Sequence, residues 1–252
     1  MLKQTNYTSN SRLTMKRADV GVPKQEAKLQ RSLVAALARE PLKRGLKRVI
    51  CSEVDVWHGI ADVVVATANG GLSREGWHSP QHLKHVNLTT AKLLAQLRYG
   101  EYKQYTDIAG STGFSLATVS EHLRTLERLG TVRRRGDSAR LLRSTKTPFL
   151  DVAAFEVKVS DWRHGIYQAA HYRSFANRVS VALPNAKARA IAIHKDAFRL
   201  FGIGLVGIES PSSINWYIKP ARRQPSSASR MILSVVQILK RKESKVLQVH
   251  GR

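Results

Sequence analysis

Residues 153–159 have the sequence AAFEVKV, and this stretch decides which fold the chain is expected to adopt. It has the pattern of a β-strand that is apolar except for Glu156 and Lys158. Side chains alternate between the two faces of a strand, so these two residues, two positions apart, point to the same face. An acid and a base on an apolar strand indicate either a structural ion pair or a site that uses both charges.

A second apolar strand carries another acid. Residues 61–67 are nearly all Val and Ala, which is typical of a strand buried on both faces, and Asp62 lies at its start. Residues 48–57 form a further strand pattern, and the short connection His58-Gly59 predicts that the two strands form a hairpin. A carboxylate at the start of a buried strand is costly unless it is paired or binds a metal ion.

Helices and strands alternate through most of the remaining chain. A helix begins at Lys24, carries Glu26 near its start and ends before Pro41, which cannot continue a helix. After the strand at residues 153–159, the periodicity predicts a helix at 161–176, a strand at 179–183, a helix at 185–201, strands at 203–209 and 215–219, and a helix at 231–242.

The composition excludes several classes of protein. Of the 252 residues, 42% are hydrophobic and 24% are charged, as in ordinary globular proteins. The longest apolar stretches, such as residues 63–68 and 203–208, are far shorter than the roughly 18 residues of a membrane span, and no apolar run resembles a secretion signal. The single cysteine, Cys51, excludes an internal disulfide and a multi-cysteine metal site. We therefore expect a cytoplasmic protein.

The charge is the most informative number in the composition. The chain has 42 Lys and Arg against 18 Asp and Glu, a formal net charge of +24. Clustered cations displace counterions from phosphates, so a protein this basic is expected to bind a polyanion. The alternative is a ribosome-like or non-specifically adhesive protein. Because acids are few, those on apolar strands are the first candidates for a site.

Residues 106–135 differ in character from the flanking sequence and read TDIAGSTGFSLATVSEHLRTLERLGTVRRR. A short helix, a tight turn with Gly113 at its sharp position, and a longer helix follow one another. The segment resembles a winged helix-turn-helix of the bacterial MarR and ArsR kind. Its predicted elements are helices at 89–97, 105–111 and 115–129, a turn at 113–115 and a hairpin, the wing, at 132–142.

This resemblance implies DNA binding. The third helix presents small or polar side chains that suit a major groove, and the wing presents arginines that suit phosphates against one acid, Asp137. A winged helix that contacts only proteins is the alternative, which the arginines argue against. The predicted DNA-binding residues are Ser115, Ala117, Thr118, Ser120, Glu121 and Arg124 in the helix, and Arg133, Arg134, Arg135, Arg140 and Arg143 in the wing.

Outside this segment, the order of the polar residues resembles the PD-(D/E)XK nuclease superfamily, the restriction-endonuclease-like fold. The resemblance covers residues 24–67 and 150–210 and implies an α/β fold with a mixed sheet flanked by helices. The order of the family is matched by Glu26 in a helix, Asp62 in a strand, and Glu156-Val157-Lys158 in a strand before a helix. In that helix, Gln168 and Tyr172 resemble the Gln-x-x-x-Tyr element of RecB-type exonucleases. The helix-to-strand step at 201–206 resembles the one that often closes this core.

The resemblance also implies roles for these residues in DNA hydrolysis. Asp62, Glu156 and the backbone carbonyl of Val157 would hold Mg²⁺ or Mn²⁺, hard ions that prefer oxygen ligands. Lys158 would position a water molecule or neutralise charge on the phosphate. Glu26 would hold a second metal ion or a water, while Gln168 and Tyr172 would orient the site or the DNA strand. The alternative is a structural ion pair between buried strands.

Two departures from the family pattern affect the domain organisation. Ala61 replaces the proline of the family name, and 94 residues separate Asp62 from Glu156. We interpret the winged helix as an insertion between two core strands; two separate domains are the alternative. The predicted units are a flexible basic arm (1–23), the first part of the core (24–88), the insertion (89–145), the second part (146–219), and a linker with a C-terminal helix (220–252).

Three functional hypotheses remain open at this point. The first is a metal-dependent nuclease that its winged helix positions on DNA. The second is a transcriptional regulator whose nuclease-like core is inactive, and the third is a subunit that recruits a separate enzyme. The C-terminal helix would form a homodimer, bind a partner protein or pack on the core. Three closely spaced histidines, His78, His82 and His85, offer a further metal site. A polar helix start or a phosphate-facing loop is the commoner explanation for such a cluster.

Overall fold

A computed structural model describes residues 24–56, 59–69, 85–142, 149–211, 213–244 and 247–250. Several predicted features lie outside these residues. They are the basic arm at 1–23, two of the three clustered histidines, His78 and His82, and the last arginine of the wing, Arg143.

The described chain alternates between helices and strands as the sequence predicts. Its first part contains α1 (Lys24–Arg39), β1 (Leu46–Asp55), β2 (Ile60–Asn69), α2 (Leu88–Gln96), β3 (Lys103–Gln104), α3 (Tyr105–Thr112), α4 (Leu116–Arg128), β4 (Val132–Arg135) and β5 (Ser138–Leu141). Its second part contains β6 (Asp151–Val157), α5 (Trp162–Tyr172), β7 (Arg178–Pro184), α6 (Asn185–Ile191), a 3₁₀ turn (Ala192–His194), α7 (Lys195–Phe201), β8 (Gly204–Ser210), β9 (Ser213–Ile218), α8 (Ala228–Ser244) and β10 (Leu247–His250).

Seven strands form one mixed sheet in the order β10-β1-β2-β6-β7-β8-β9. β6, β7 and β8 are parallel, and the other neighbours are antiparallel. β2 pairs with β6, with Val63 opposite Phe155, so the strands on either side of the predicted insertion lie next to each other. The predictions of a mixed α/β sheet flanked by helices, of the β1–β2 hairpin and of one sheet for both acid-bearing strands are confirmed.

The apolar alternation of the central strands buries both faces of the sheet. Val64 of β2 and Ala154 of β6 point to the face that packs against α5 and against the helices α2 to α4. Val65 and Phe155 point to the other face, which α1 covers. Because each strand has apolar residues in both sets, the runs of Val and Ala in the sequence are continuous rather than alternating.

Residues 88–141, called the helical module below, contain α2, α3, α4 and a separate small sheet in the order β3-β5-β4. The helix bounds lie within two residues of those predicted from the sequence. Gly113 ends α3 in the left-handed conformation with φ 72°, which glycine adopts without a steric penalty. Val119, Leu123 and Leu126 of α4 are buried and join the same apolar core as the large sheet.

The C-terminal residues, predicted as a linker and a helix, pack against the rest of the fold and add a strand to the sheet. α8 packs against α2 of the module and against β1, and its apolar residues, Ile238 among them, lie in the shared core. β10 then extends the sheet beside β1, a strand that the sequence did not predict. Of the alternatives for the C-terminal helix, packing on the core is the one that the structure contains.

The helix predicted at residues 185–201 is interrupted in the structure. The 3₁₀ turn brings His194 against the ring of Trp162, with centroids 5.2 Å apart, and Phe198 of α7 lies 5.7 Å from the same ring. The interruption thus lies where the segment packs on Trp162 of α5, within a stretch whose local pattern is helical throughout. Within the described ranges, no helix combines the length and apolar character that crossing a membrane requires.

The position of α8 generates a test of the fold. Ile238 is 1% exposed, so Ile238→Ala should lower the free energy of unfolding by about 2–5 kcal/mol through lost burial and a cavity. Because α8 contacts both the module and β1, we expect one cooperative urea transition for both parts, followed by far-UV circular dichroism. Leu200→Ala, at a side chain that is 74% exposed, is the matched control and should change stability little.

Candidate active site

Asp62 occupies a position of β2 that is paired with neither neighbouring strand. Pairing with β6 stops at Val63, and the β1–β2 ladder omits the position of Asp62 because Glu53 opposite it has φ 54°, an uncommon conformation for a side chain other than glycine. The carbonyl oxygen of Asp62 instead accepts a hydrogen bond of 2.6 Å from the Gln30 amide of α1. The backbone of Asp62 is therefore held by a side chain of α1 and not by regular pairing with a neighbouring strand.

The Asp62 side chain is held across the end of the strand pair. Its Oδ2 accepts a hydrogen bond of 2.7 Å from the backbone N–H of Val157. Two residues further along, the N–H of Val159 donates to Glu26 Oε1 at 3.4 Å. Acids from α1 and β2 therefore converge on the backbone around Lys158, although the chain between Asp62 and Val157 contains the whole helical module.

Glu156 is the buried centre of the cluster. Its side chain is only 2% exposed, and Oε1 lies 2.7 Å from Lys158 Nζ. Oε2 accepts a hydrogen bond from the Tyr172 hydroxyl of α5, whose oxygen also lies 2.9 Å from the Ile60 carbonyl oxygen. Lys158 lies one residue beyond β6, yet its N–H continues the ladder by donating to Ala182. The predicted pairing of Glu156 and Lys158 on one face is present in the structure.

α5 approaches the cluster closely because it carries a glycine at the contact. A Cβ atom at Gly165 would meet Lys158 Cγ at 3.2 Å and Val181 Cγ1 at 3.1 Å. Gln168, one turn along the same helix, has a buried Oε1 that accepts no hydrogen bond from another described group. A buried amide oxygen without a donor is unusual in a folded protein and indicates a place for a water molecule or an ion.

Burial and charge raise the pKa of Asp62 to about 7. Loss of solvent contributes most and repulsion from Glu156 comes next, while the Val157 hydrogen bond and Lys158 act in the opposite direction. For Lys158, the hydrogen bond and charge of Glu156 outweigh burial and raise its pKa. Burial and Glu156 also raise the pKa of Tyr172, which therefore stays a hydrogen-bond donor.

The donor set suits a divalent cation that takes oxygen ligands. The described residues contain no group of three or more His, Cys, Asp or Glu side chains arranged around one metal position. Mg²⁺ commonly uses one or two carboxylates and keeps several water molecules or substrate oxygens, so a smaller carboxylate set is sufficient. Asp62 and Glu156, which interact electrostatically, are the two carboxylates that would meet this requirement.

The predicted DNA-contacting residues of α4 divide into two groups. Ser115, Ala117, Glu121 and Arg124 are exposed, whereas Thr118 and Ser120 are half-buried. The Ser115 hydroxyl caps α4 by accepting from the backbone N–H of Thr118 at 3.2 Å. Ser115 therefore has a structural role in addition to any contact with a ligand.

The wing arginines also differ from one another. Arg133 and Arg135 alternate along β4 and are exposed. Arg134 lies between them on the other face, where Glu127 accepts from its backbone N–H at 2.9 Å and lies 3.7 Å from its guanidinium. Arg140 stacks over the Tyr102 ring at 5.0 Å. Two of the predicted arginines are thus free to meet a phosphate, and two are engaged within the module.

The structure adds residues to the site that sequence reasoning missed. They are Gln30, which supports the Asp62 backbone, Gly165, which admits α5, and Glu53, whose conformation opens the ladder. Gly165 could have been noticed in the sequence, because it lies one helical turn before Gln168 and therefore on the same face of the predicted helix. No protein-family model matches the chain, and no curated protein or solved structure shows significant similarity to it.

The raised pKa of Asp62 predicts how stability depends on pH. From its ordinary value of 3.8 up to about 7, native Asp62 holds a proton that the unfolded chain has lost. Asp62 therefore lowers the free energy of unfolding progressively as pH rises through this range. Asp62→Asn should gain stability over the wild type from about pH 4 to 7, and the gain should level off above that.

Urea unfolding at a series of pH values, without divalent cations, measures this difference. Glu121→Gln removes an exposed carboxylate outside the cluster and controls for the loss of one negative charge. A stability difference for Asp62→Asn that stays constant from about pH 4 to 7 would contradict the proposed desolvation of the carboxylate.

Proposed function

We propose that this protein is a metal-dependent nuclease of the PD-(D/E)XK superfamily that hydrolyses DNA phosphodiester bonds. The observation that carries the proposal is the convergence of Asp62, Glu156 and Lys158, with Tyr172 bonded to Glu156 and Gln168 one turn before Tyr172 on α5. A chain of net charge +24 concentrates acids here, which is the opposite of what contact with DNA alone requires.

In this proposal Asp62 and Glu156 hold Mg²⁺ or Mn²⁺. The bound ion would polarise the phosphate and lower the pKa of a water molecule. Lys158, 15% exposed, supplies a positive charge beside the carboxylates that can neutralise a phosphate oxygen or orient the attacking water. Tyr172 fixes the orientation of Glu156 through its hydroxyl, and the unpaired oxygen of Gln168 can accept a hydrogen bond from a water.

DNA binding is proposed to use the helical module as a winged helix-turn-helix inserted into the nuclease core. Its support is the arrangement of α3, the Gly113 turn and α4, with a hairpin that exposes Arg133 and Arg135. Exposed arginines on one face of a hairpin suit phosphates, whereas the small and polar side chains of α4 suit the groove.

A DNA-binding regulator with an inactive core is the second candidate. The observation in its favour is that both carboxylate oxygens of Glu156 are already engaged, by Lys158 and by Tyr172. A closed cluster of this kind can be a structural ion pair. The two candidates differ in whether added cations bind the cluster and whether DNA is cut.

Cleavage of DNA tests the proposal directly. Plasmid and linear DNA incubated with Mg²⁺ or Mn²⁺ should be cut by the wild type, and Lys158→Ala should reduce the rate by about 10²–10³-fold. Mg²⁺ or Mn²⁺ should also raise the melting temperature of the wild type but not that of Asp62→Ala, because binding to the native state stabilises it. Lys187→Ala, at an exposed lysine of α6, is the control for charge and should cleave normally. Intact DNA together with unchanged melting temperatures would favour the regulator.

Salt dependence tests the proposed DNA contacts of the wing. Changing both Arg133 and Arg135 to Ala should lower the slope of log affinity against log salt by about 1.8, roughly 0.9 for each phosphate contact. Adding Arg134→Ala gives an upper limit of about 3 for three contacts, but we expect less because Glu127 holds Arg134. The control removes two exposed cations of α6, Lys187 and Arg189. An unchanged slope for the wing variant would show that the wing does not face DNA.

A further inference from the structure

A cavity of about 280 Å³ lies on the face of the sheet that α1 covers only in part. α1 ends at Arg39, and beyond it alternate residues of β2, β6 and β7 form the floor of the cavity. Phe155 of β6 belongs to this floor, whereas Glu156, the next residue, points to the other face. The cavity is therefore separate from the acidic cluster.

The rim of the cavity has an excess of positive charge. Arg48, Arg178 and Lys219 line it, with one acid, Glu40. Arg178 does have a carboxylate partner at 3.0 Å, Asp151, but that carboxylate is shared with Arg222 at 3.1 Å. Two guanidinium groups thus share one negative charge, and Lys219, which also lines the cavity, is exposed.

Arg48 is the buried cation of this rim. Its side chain is 9% exposed, and its guanidinium donates to the backbone carbonyl oxygens of Leu37 and Glu40 at the end of α1. Burial lowers its pKa, and attraction to Glu40 offsets only part of that effect. Carbonyl oxygens satisfy hydrogen bonds but carry no net charge, so an anion in the cavity would stabilise this group.

Two aromatic rings also line the cavity. Trp216 of β9 is 36% exposed, and its ring is tilted by 50° against Phe155, with centroids 6.1 Å apart. Thr67, a residue with a hydroxyl group, also lines the cavity. A ligand that suits both the rings and the cations carries a planar ring and an anionic group.

We infer that this cavity binds a mononucleotide, with the base against Trp216 and the phosphate at the cationic rim. The size supports one nucleotide rather than a dinucleotide, because about 280 Å³ is at the lower end of small-ligand pockets. The shared chemistry, a base with a phosphate monoester, occurs in a free nucleotide and at a phosphorylated DNA end. The inference does not depend on the activity of the acidic cluster.

Isothermal titration of the full chain with deoxyadenosine monophosphate tests this inference. The nucleotide should bind more tightly than either inorganic phosphate or deoxyadenosine alone, because each lacks one half of the recognised group. Trp216→Ala should weaken binding about 5-fold to 150-fold, the range of base–aromatic stacking, whereas Trp216→Phe should keep most of the affinity. Lys219→Ala should weaken it about two- to fivefold.

Matched controls separate this site from general attraction to a basic protein. Lys187→Ala removes an exposed lysine elsewhere and should leave nucleotide affinity unchanged. Displacement of the bound nucleotide by a short oligonucleotide with a 5′-phosphate, but not by one with a 5′-hydroxyl, would identify a DNA end as the source; no displacement by either would identify the free nucleotide. The inference is overturned if no binding occurs at about 1 mM, if phosphate alone binds equally well, or if Trp216→Ala has no effect.

Discussion

The burial of one carboxylate constrains the centre of this molecule. Glu156 is 2% exposed on a central strand, and an isolated charge there would cost several kcal/mol. Lys158 neutralises one oxygen and Tyr172 donates to the other, so α5 must lie directly over the end of β6. Gly165 is the residue that permits this approach. The position of α5, and with it the parallel pairing of β6 and β7, is thus consistent with the requirement to satisfy Glu156.

A second constraint is the irregular strand pairing at Asp62, which has no pairing partner in either neighbouring strand. The left-handed Glu53 interrupts the ladder on one side, and the pairing of β2 with β6 stops at Val63 on the other. Gln30 then supplies the hydrogen bond that a neighbouring strand would have given. Strained backbone of this kind persists only where surrounding contacts hold it in place, and it is frequent at functional sites. The opening of the ladder supports the proposed role of Asp62, independently of any sequence motif.

The sequence predicted those features that depend on local periodicity. The apolar runs around Asp62 and Glu156 placed both on strands, and the spacing of Gln168 and Tyr172 placed both on one helix, as found. Features that depend on contacts between residues far apart in the chain could not be predicted from the sequence. β10 is a four-residue edge strand whose partner is about 200 residues away. The 3₁₀ turn at His194 lies against Trp162, and the cationic cavity is lined by residues from α1, five strands and the segment after β9.

The balance of charge in the cluster bears on the choice between a structural ion pair and a metal site. A structural pair needs one acid and one base, and Glu156 with Lys158 already meets that need. Asp62 and Glu26 both act on the same lysine, so the cluster contains three acids for one base. The pKa of Asp62 is raised to about 7, chiefly by loss of solvent and next by repulsion from Glu156, and Lys158 offsets only part of these effects. A protein with 42 basic residues has many ways to add a second cation from its own chain. An excess of acids over bases in this cluster fits a divalent cation supplied from solution, as the nuclease proposal requires.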